Sequence, residues 1–202
     1  MSARIDKVVI SGVFSLDGQD FDVDNNVWLV GDDDEVLVID APHDAAPIVE
    51  AIGGRRVTAI VLTHGHNDHI TAAPALRAAT GAPIWFHPAD RMLWDVVHPD
   101  AAPDRELTEG TTFEVAGTTL TALHTPGHSP GSTCLHAEDL GTVFTGDTLF
   151  CGGPGATGRS FSDKPTILNS IRARLLTLPG DTVVKTGHGD DTTVAAEVRN
   201  ID

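Results

Sequence analysis

The stretch THGHNDH at residues 63–69 places three histidines and one aspartate directly after the apolar run VTAIVL. Alternate residues of an extended chain face the same side, so His64 and His66 can bind one metal ion together. Asp68 and His69 stand just beyond them, where a helix is expected to begin, and they can face a second ion nearby. This short segment therefore predicts two adjacent metal sites at the end of a strand.

Three later strands each end in a loop that carries a further metal-ligand residue. These residues are His128 in TPGHSPGS, Asp147 in TGDTLF and His188 in TGHG. Functional side chains on loops at one edge of a rigid sheet are the usual way to build a preorganised site. The pattern predicts that seven residues hold two divalent metal ions: His64, His66, Asp68, His69, His128, Asp147 and His188.

The ligand types bear on the identity of the metal. Imidazole nitrogens and carboxylate oxygens without a thiolate favour catalytic Zn²⁺, with iron or manganese as alternatives. If Asp147 bridges the two ions, each ion keeps an open position for a shared water. Two adjacent cations would lower the pKa of this water toward neutrality, which predicts a metal-bridging hydroxide as the nucleophile.

The remaining histidines and the cysteines are interpreted as residues without a metal role. The two cysteines are too few for a disulfide framework and form no CxxC pair, so we expect free core thiols. Single histidines in loops are usually ordinary surface residues. This group comprises Cys134, Cys151, His43, His87, His98, His124 and His136.

Composition limits the partners of the chain. With 29 acidic residues against 13 basic ones, the formal charge is -16. This charge would repel the phosphate backbone of nucleic acids and the anionic surface of membranes, so neither is an expected partner. A small-molecule substrate is compatible with it. The oligomeric state stays open, and a homodimer is one alternative.

Length and hydropathy predict the domain organisation and the compartment. A chain of 202 residues is long enough for one core, and no linker-like stretch divides it, so we expect a single domain over residues 1–202. No apolar run approaches the roughly 20 residues that span a bilayer. The N-terminal MSARIDKVVISGVF alternates like a strand and lacks the features of a signal peptide. These patterns predict a soluble, cytoplasmic protein.

Strand and helix patterns occur in two blocks along the chain. VVISGVF, NNVWLVG and EVLVID are strand-like and precede a predicted helix over residues 44–52. TTFEVA, GTTLTALH, STCLHAE and GTVFTGD are strand-like again and precede a predicted helix, KPTILNSIRARLLTL. TVVKTGHG then predicts a strand and TTVAAEVRN a closing helix. Two groups of strands, each followed by helices, predict an α/β (α+β) fold with two packed sheets.

The ordered motifs THGHNDH, TPGHSPGS, TGDTLF and TGHG resemble the signature set of the metallo-β-lactamase superfamily over nearly the whole chain. The resemblance implies a four-layer αββα sandwich, with two mixed β-sheets flanked by helices. Asp40 in VLVIDAP stands where that family places an aspartate that supports the metal loop. The resemblance also implies the grouping of ligands: His64, His66 and His128 on one metal, Asp68, His69 and His188 on the other, and Asp147 on both.

Differences within the superfamily favour one branch. His66 stands where flavodiiron proteins carry a glutamate, and β-lactamases of this fold lack the bridging aspartate that Asp147 supplies. Quorum-signal lactonases use a tyrosine near the metals, whereas this chain has no tyrosine. RNA-processing members need a basic arm, which the net charge argues against. The chain is therefore similar to the glyoxalase II group, which hydrolyses thioesters of low-molecular-weight thiols such as hydroxyacylglutathione.

The resemblance to glyoxalase II also implies where substrate binds. In GGPGATGRSFSD, Arg159 and Phe161 stand where that group has a basic residue and an aromatic in a glycine-rich loop. Arg159 could pair with a carboxylate of the thiol carrier; the alternative is a plain glycine-rich turn. Only 14 residues follow His188, so we expect the helical domain that holds glutathione in glyoxalase II to be absent. A smaller substrate, a different carrier or a second subunit would then complete the pocket.

The expected mechanism is attack of the bridging hydroxide on a thioester carbonyl, with Asp68 as the catalytic residue that helps to orient the hydroxide. The alternative is a persulfide dioxygenase of the same fold with one iron ion. In that case His64, His128 and Asp147 would form a facial triad. A metal-binding module without catalysis is a third reading, which the complete ligand set disfavours.

Overall fold

Residues 2–201 are described by the computed structural model, and their strands form two six-stranded sheets and one ribbon. The first sheet consists of β1 (Arg4–Leu16), β2 (Gln19–Gly31), β3 (Glu35–Ile39), β4 (Arg56–Val61), β5 (Ile84–Phe86) and β6 (Arg105–Glu106), in that order. The chain continues with β7 (Thr112–Val115), β8 (Thr118–His124), β9 (Thr133–Ala137) and β10 (Thr142–Gly146). β11 (Leu149–Phe150) and β12 (Gly153–Pro154) form the ribbon, and β13 (Val183–Thr186) and β14 (Thr192–Thr193) follow. The second sheet has the order β14-β13-β10-β9-β8-β7.

Helices connect the strands and cover the outer faces of the sheets. They are α1 (Ala45–Ile52), α2 (Asn67–Ile70), α3 (Ala73–Thr80), α4 (Arg91–Val97), α5 (Lys164–Ser170), continued by a π-helix (Ile171–Leu175), and α6 (Val194–Glu197). Short 3₁₀ turns lie at Pro88–Asp90, Glu138–Leu140 and Val198–Asn200. Asp44 caps α1 by accepting the N–H of Ala46, and Gly53 ends that helix with φ of 65°. Among residues 2–201 no helix is long and apolar enough to cross a membrane.

The apolar side chains of the central strands point alternately to the two faces of the sheet, and this arrangement produces the layers. In β2, Val27 and Leu29 pack against the helices on one side. Trp28 and Val30 point the opposite way and pack against the second sheet. A strand that is buried on both faces needs such a continuous apolar run, which explains the sequence VWLV. The first sheet is therefore a buried inner layer.

The second sheet is buried on both faces in the same way. In β10, Phe144 packs between the two sheets, whereas Val143 faces outward. Val143 belongs to a third apolar cluster, in which Ile167 of α5 and Ile171 of the π-helix cover the sheet. Three apolar clusters thus separate four layers in the order helix, sheet, sheet, helix. The predicted αββα sandwich with mixed sheets is confirmed.

Several local features differ from the sequence predictions. β1 and β2 each contain 13 residues and form one long hairpin, whereas only the apolar parts were predicted as strands. The tip of the hairpin is too polar to be recognised from alternation, and Asp17 and Gly18 turn it with φ of 54° and 72°. The helix predicted over KPTILNSIRARLLTL changes to π-helical turns at Ile171. The two-residue strands β6, β11, β12 and β14 have no local signal and depend on their partners.

His87 and His124 form a stacked pair at the ends of β5 and β8, although both were expected to be ordinary surface residues. Their ring centroids lie 4.2 Å apart with 14° between the planes. The Nδ1 atom of His87 accepts the N–H of Ala89, and His124 donates through Nε2 to the carbonyl of Pro130. Burial, together with the neighbouring imidazole, lowers the pKa of His87 to about 4 from its ordinary value of 6.5. The packing of the pair therefore favours the neutral form of His87.

This pair predicts a pH-dependent contribution to stability. The unfolded chain protonates His87 near pH 6.5 but the folded chain does so only near pH 4, so the stability that it provides is lost as pH falls through this window. His87→Asn keeps an acceptor for the N–H of Ala89 but does not titrate. Between pH 6.5 and 4, metal-free wild type should lose about 2 kcal/mol more free energy of unfolding than His87→Asn. Urea unfolding across this range measures the difference, and parallel pH profiles would contradict it.

Candidate metal centre

The loops after four strands bring the seven predicted ligand residues together. THGHNDH follows β4, His128 follows β8, Asp147 follows β10, and His188 follows β13. Their nitrogen and oxygen atoms form three groups in which all candidate ligand atoms lie within 4.8 Å of one another. The groups are His64, His66 and His128; His64, His69 and Asp147; and Asp68, His69 and His188. Because the groups share members, they form one continuous cluster.

Three imidazoles form the first group. The Nδ1 atom of His66 lies 3.1 Å from Nε2 of His64 and 2.9 Å from Nε2 of His128. His128 donates its Nδ1 proton to the carbonyl of Ala156 at 2.8 Å, so its Nε2 is left as an acceptor. Outer hydrogen bonds of this kind orient imidazoles toward a shared cation.

The second group combines two imidazoles with carboxylates. His69 donates through Nδ1 to Asp40 at 2.8 Å, and His188 donates through Nδ1 to the carbonyl of Asp24 at 2.8 Å. Their Nε2 atoms therefore face inward and lie 3.2 Å apart. Oδ2 of Asp68 lies 3.6 Å from Nε2 of His69 and 3.3 Å from Nε2 of His188. The arrangement again offers inward-facing ligand atoms held by outer hydrogen bonds.

Asp147 lies between the two groups. Its Oδ1 is 3.3 Å from Nε2 of His69, and its Oδ2 is 3.5 Å from Nε2 of His128 and 3.4 Å from Nε2 of His188. A side chain at Gly187 would place its Cβ only 2.2 Å from Oδ1 of Asp147, so only glycine fits there. One carboxylate thus reaches both ligand groups.

Unsatisfied buried atoms support a fit to cations. Among residues 2–201, four buried side-chain atoms have no hydrogen-bond partner. Three of them belong to the cluster, namely Nε2 of His66, Oδ1 of Asp68 and Oδ1 of Asp147. Buried polar atoms without partners are rare and need an explanation such as an ion or a bound water. Two buried carboxylate oxygens without a hydrogen-bond partner in one cluster match the ligand chemistry of divalent metals.

Electrostatics differ between the two groups. Burial, with repulsion from neighbouring imidazoles, lowers the pKa of His66 to about 3. Burial also opposes the charged form of His188, but the carboxylates of Asp147 and Asp68 raise its pKa to about 10. Burial acts to raise the pKa of Asp68, but the adjacent His69 and hydrogen bonds hold it at about 2. In the second group the carboxylates are therefore balanced by protonated imidazoles, and binding of a divalent cation would release those protons.

Asp40 anchors the histidine loop through hydrogen bonds to Thr63 and His69, which is the supporting role that the resemblance implied. It is buried, and its φ of 65° turns the chain sharply after β3. Its carboxylate accepts the main-chain N–H of Thr63 at 2.7 Å, the hydroxyl of Thr63 at 2.9 Å and the Nδ1 proton of His69. The carboxylate thereby sets both the start of the loop and the orientation of one imidazole.

Residues 21–188 match the Metallo-beta-lactamase superfamily. The chain belongs to this superfamily. The matched range contains all seven clustered residues and ends at His188. Membership in the superfamily, together with the clustered histidines and aspartates, supports divalent metal binding and a metal-dependent enzyme.

Relatives with curated names place this superfamily member near metal-dependent hydrolases. It is 33% identical over 191 residues to hydroxyacylglutathione hydrolase GloC of Haemophilus influenzae, covering 87% of this chain and 90% of the relative. It is 35% identical over 186 residues to the probable metallo-hydrolase YqgX of Bacillus subtilis, covering 85% and 88%. A hydroxyacylglutathione hydrolase of Cereibacter sphaeroides is 37% identical over 169 residues, covering 82% of this chain and 62% of that protein.

Solved structures of the superfamily share the fold. BLEG-1 B3 metallo-beta-lactamase superposes with a TM-score of 0.80 at 28% identity, covering 94% of this chain and 97% of that one. TTHA1623 in a di-iron-bound form gives 0.77 at 32% identity, covering 88% and 94%. ETHE1 from Myxococcus xanthus gives 0.74 at 26% identity, covering 96% and 83%. The fold is common to proteins with different names, so the site must decide the activity.

Two residues beside the metallo-β-lactamase cluster were missed or misjudged from the sequence. Asn25 is fully buried and donates through Nδ2 to Asp68 at 3.0 Å. Its Oδ1 lies 2.8 Å from Nε2 of His43, which was expected to be an ordinary surface residue. The ring of His43 lies so close to Gly12 that a Cβ there would approach it to 2.2 Å. The two buried asparagines directly before the apolar run of β2, Asn25 and Asn26, are the signal that could have pointed to this contact.

Asp90 is a further residue that the sequence analysis missed. It is fully buried, and burial raises the pKa of its carboxyl. The carboxylate accepts the N–H of Gly65 at 2.8 Å, the hydroxyl of Ser129 at 2.6 Å and the N–H of Gly131 at 2.6 Å. Asp90 therefore joins the loop that carries His64 and His66 to the loop that carries His128. A carboxylate at the start of a short helix gives no local signal of such a role.

The two predicted substrate contacts occupy different environments. A cavity of about 440 Å³ opens above the cluster, and its lining includes Phe14, Val23 and Ala156. A narrow cleft of about 40 Å³, lined in part by Arg159, lies beside His66 and His128. Phe161, in contrast, is 53% exposed and is not among the lining residues. Phe14 from the β1–β2 hairpin provides the aromatic surface at the site.

The role of Asp90 predicts a coupled loss of stability and metal affinity. Asp90→Ala leaves the N–H groups of Gly65 and Gly131 buried without acceptors. The free energy of unfolding should fall by about 3 kcal/mol, measured by urea unfolding of the metal-free protein. Zinc binding should weaken about 10–100-fold, measured by titration calorimetry, because the loops of the first group lose their common support.

Asp95→Asn is the matched control for this substitution. Asp95 lies on α4, and the contact that the structure shows for it is a surface pair with Arg91. Its replacement should change stability by less than about 0.5 kcal/mol and leave zinc affinity unchanged. Wild-type zinc affinity in Asp90→Ala would show that Asp90 has no part in organising the ligand loops.

Proposed function

We propose that this chain is a binuclear metal-dependent hydrolase that acts on thioesters of a low-molecular-weight thiol. The observation that carries the proposal is the position of the Asp147 carboxylate, which reaches His128 on one side and His69 and His188 on the other. Two complete ligand groups on either side of one carboxylate favour two adjacent cations over one. The named hydroxyacylglutathione hydrolases among its relatives support the thioester substrate.

Each cation has a defined set of ligands in this proposal. His64, His66 and His128 would hold the first ion and Asp68, His69 and His188 the second, with Asp147 shared. When bound, such a pair of cations lowers the pKa of a coordinated water and polarises a carbonyl oxygen. We expect Zn²⁺, with iron as an alternative that the di-iron form of TTHA1623 keeps open.

Side chains of the cluster can orient the attacking water molecule. Oδ2 of Asp68 accepts a hydrogen bond from Asn25, whereas its Oδ1 has no partner. That free oxygen can accept a hydrogen bond from a water molecule and direct its lone pair toward the substrate carbonyl. Once the water oxygen has added, the bond between the carbonyl carbon and sulfur breaks; one proton of the water goes to the leaving thiolate and the other is released to solvent, so the products are a carboxylate, a thiol and a proton. Asp68 is therefore the proposed catalytic residue.

Arg159 is placed to recognise the thiol carrier. One Nη1 hydrogen bond goes to Gln19 at 3.2 Å, and the guanidinium lies 4.6 Å from the ring centroid of Phe21. A guanidinium has five N–H donors, so enough remain to pair with a carboxylate at the cleft. The contact proposed for Phe161 would require a substrate that extends beyond the cleft, because that side chain is exposed.

A persulfide dioxygenase with a single iron is the second candidate. It would use His64, His128 and Asp147, and a similar structure bears the name ETHE1. A mononuclear site would leave Asp68, His69 and His188 without a metal, although their ligand atoms converge as closely as those of the first group. This convergence favours the binuclear hydrolase.

Metal analysis combined with an anaerobic substrate panel separates the two candidates. The panel contains acyl thioesters of anionic and neutral thiols, a persulfide and a β-lactam. We expect two metal ions per chain, turnover of thioesters without oxygen and preference for the anionic thiol. One iron per chain with oxygen consumption on the persulfide would establish the dioxygenase instead.

Substitution of two cluster residues tests the assignment of roles. Asp68→Ala should lower kcat by about 10²–10⁴-fold, because the water loses its orienting acceptor. His66→Ala should lower bound metal as well as activity, because the first group loses one of three imidazoles. Both are measured by thioester kinetics and metal analysis, with circular dichroism as the check on folding.

His136→Ala is the control for loss of an imidazole. His136 lies on β9, away from the cluster. Its replacement should leave metal content and kcat within about twofold of wild type. If Asp68→Ala and His66→Ala behave like this control, the catalytic cluster has been assigned wrongly.

A further inference from the structure

Asn67, a residue of the histidine loop and the first residue of α2, binds the edge of the β1–β2 hairpin as another strand would. Its Nδ2 donates to the carbonyl of Val13 at 2.9 Å, and its Oδ1 accepts the N–H of Ser15 at 2.8 Å. The two hydrogen bonds flank Phe14, whose side chain points to the opposite side of the strand from those of its neighbours. Asn67 also stands directly between the ligands His66 and Asp68.

The pairing places Phe14 against the metal cluster. Its ring centroid lies 5.2 Å from that of His66 and 6.2 Å from that of Phe21, with which it stacks. Phe14 lines both the cavity above the cluster and the cleft that contains Arg159. Ala156 also lines both spaces, but Phe14 has the larger apolar side chain.

The glycine-rich loop holds the tip of the same hairpin. The N–H of Ser160 donates to Asp17 at 3.1 Å, and Arg159 donates to Gln19. On either side of Phe14 the outer part of the hairpin is thus hydrogen-bonded to Asn67 beside the metal cluster and, at its tip, to the glycine-rich loop beside the cleft. If either attachment fails, Phe14 loses its fixed distance from His66.

We propose that Phe14 determines specificity by packing against an apolar acyl chain, and that Asn67 is the positioning residue that holds it there. This inference rests on the proposed thioesterase function. With a carboxylate of the thiol carrier paired to Arg159 at the cleft, the acyl group occupies the cavity, where Val23 and Ala156 add further apolar surface. Each methylene that packs there should raise kcat/KM about fourfold.

Kinetics on a chain-length series test the specificity. Acetyl, butyryl and hexanoyl thioesters of one thiol are compared in wild type, Phe14→Ala, Asn67→Ala and the double variant, with metal content measured for each. Phe14→Ala should remove most of the preference for longer chains through KM rather than kcat. Asn67→Ala should remove part of the preference for longer chains at unchanged metal content. The double variant should show the same chain-length preference as Phe14→Ala.

The proposed roles of Phe14 and Asn67 would be overturned by an equal loss of activity on all three acyl chains in Asn67→Ala. They would also be overturned by additive effects in the double variant, or by loss of metal from Asn67→Ala. Selectivity that follows the alkyl length of the thiol instead of the acyl chain would overturn the assignment of the cavity to the acyl group.

Hydrogen exchange of the metal-free protein measures the positioning contact without catalysis. Asn67→Ala should accelerate exchange of the Ser15 amide at least tenfold while the amide of Leu29, within the buried part of β2, stays protected. Asn67→Asp can still accept from Ser15 but cannot donate to Val13, so it should give an intermediate rate. Unchanged exchange of Ser15 in Asn67→Ala would refute the positioning role.

Binding of carboxylate products separates this inference from the proposed function. If wild type hydrolyses no thioester, the proposed function fails. Calorimetry with acetate and hexanoate on the metal-loaded protein then decides the inference. Tighter binding of hexanoate that Phe14→Ala abolishes supports an apolar chain site, whereas equal discrimination in both proteins rejects it.

Discussion

The hydrogen bonds of the Asp40 carboxylate determine where the metal ligands lie. They join the end of β3 to Thr63 and His69, so the histidine loop is anchored to the sheet at both its ends. The strained φ of 65° at Asp40 is stabilised by these bonds and by complete burial. Because an unpaired buried carboxylate is costly, other loop conformations would be higher in free energy. The loop can therefore present four ligand residues in one arrangement.

The imidazoles of the cluster differ in how readily they bind a proton when no cation is present. Burial and like charge lower the pKa of His64 and His66, whereas carboxylates raise that of His69 and His188. Neutral nitrogens on one side and negative oxygens on the other form an environment that divalent cations stabilise. The two packed sheets supply the rigidity that holds these groups together, since their strands are buried on both faces.

Chemistry and selectivity arise from different parts of this fold. The ligands follow the ends of central strands, whereas the wall of the cavity is provided by the β1–β2 hairpin and the glycine-rich loop. Asn67 connects the ligand loops to the hairpin, whereas Asp90 joins the loop of His64 and His66 to the loop of His128. Changes in the hairpin can thus alter the substrate while the cluster is preserved, which is consistent with one fold serving several activities.

The sequence by itself determined the candidate ligand residues and the layered fold, because ligand type, strand-end position and apolar alternation are local properties that residues 63–69 and β2 display directly. Only the tertiary structure decided which residues support and enclose the cluster. Asp90 binds Gly131, 41 positions away, and Asn67 binds Ser15, 52 positions away. Such contacts leave no local pattern, because a carboxylate or an amide has the same identity whether it faces water or a distant loop. The packing of the layers, not local sequence, brings these partners together.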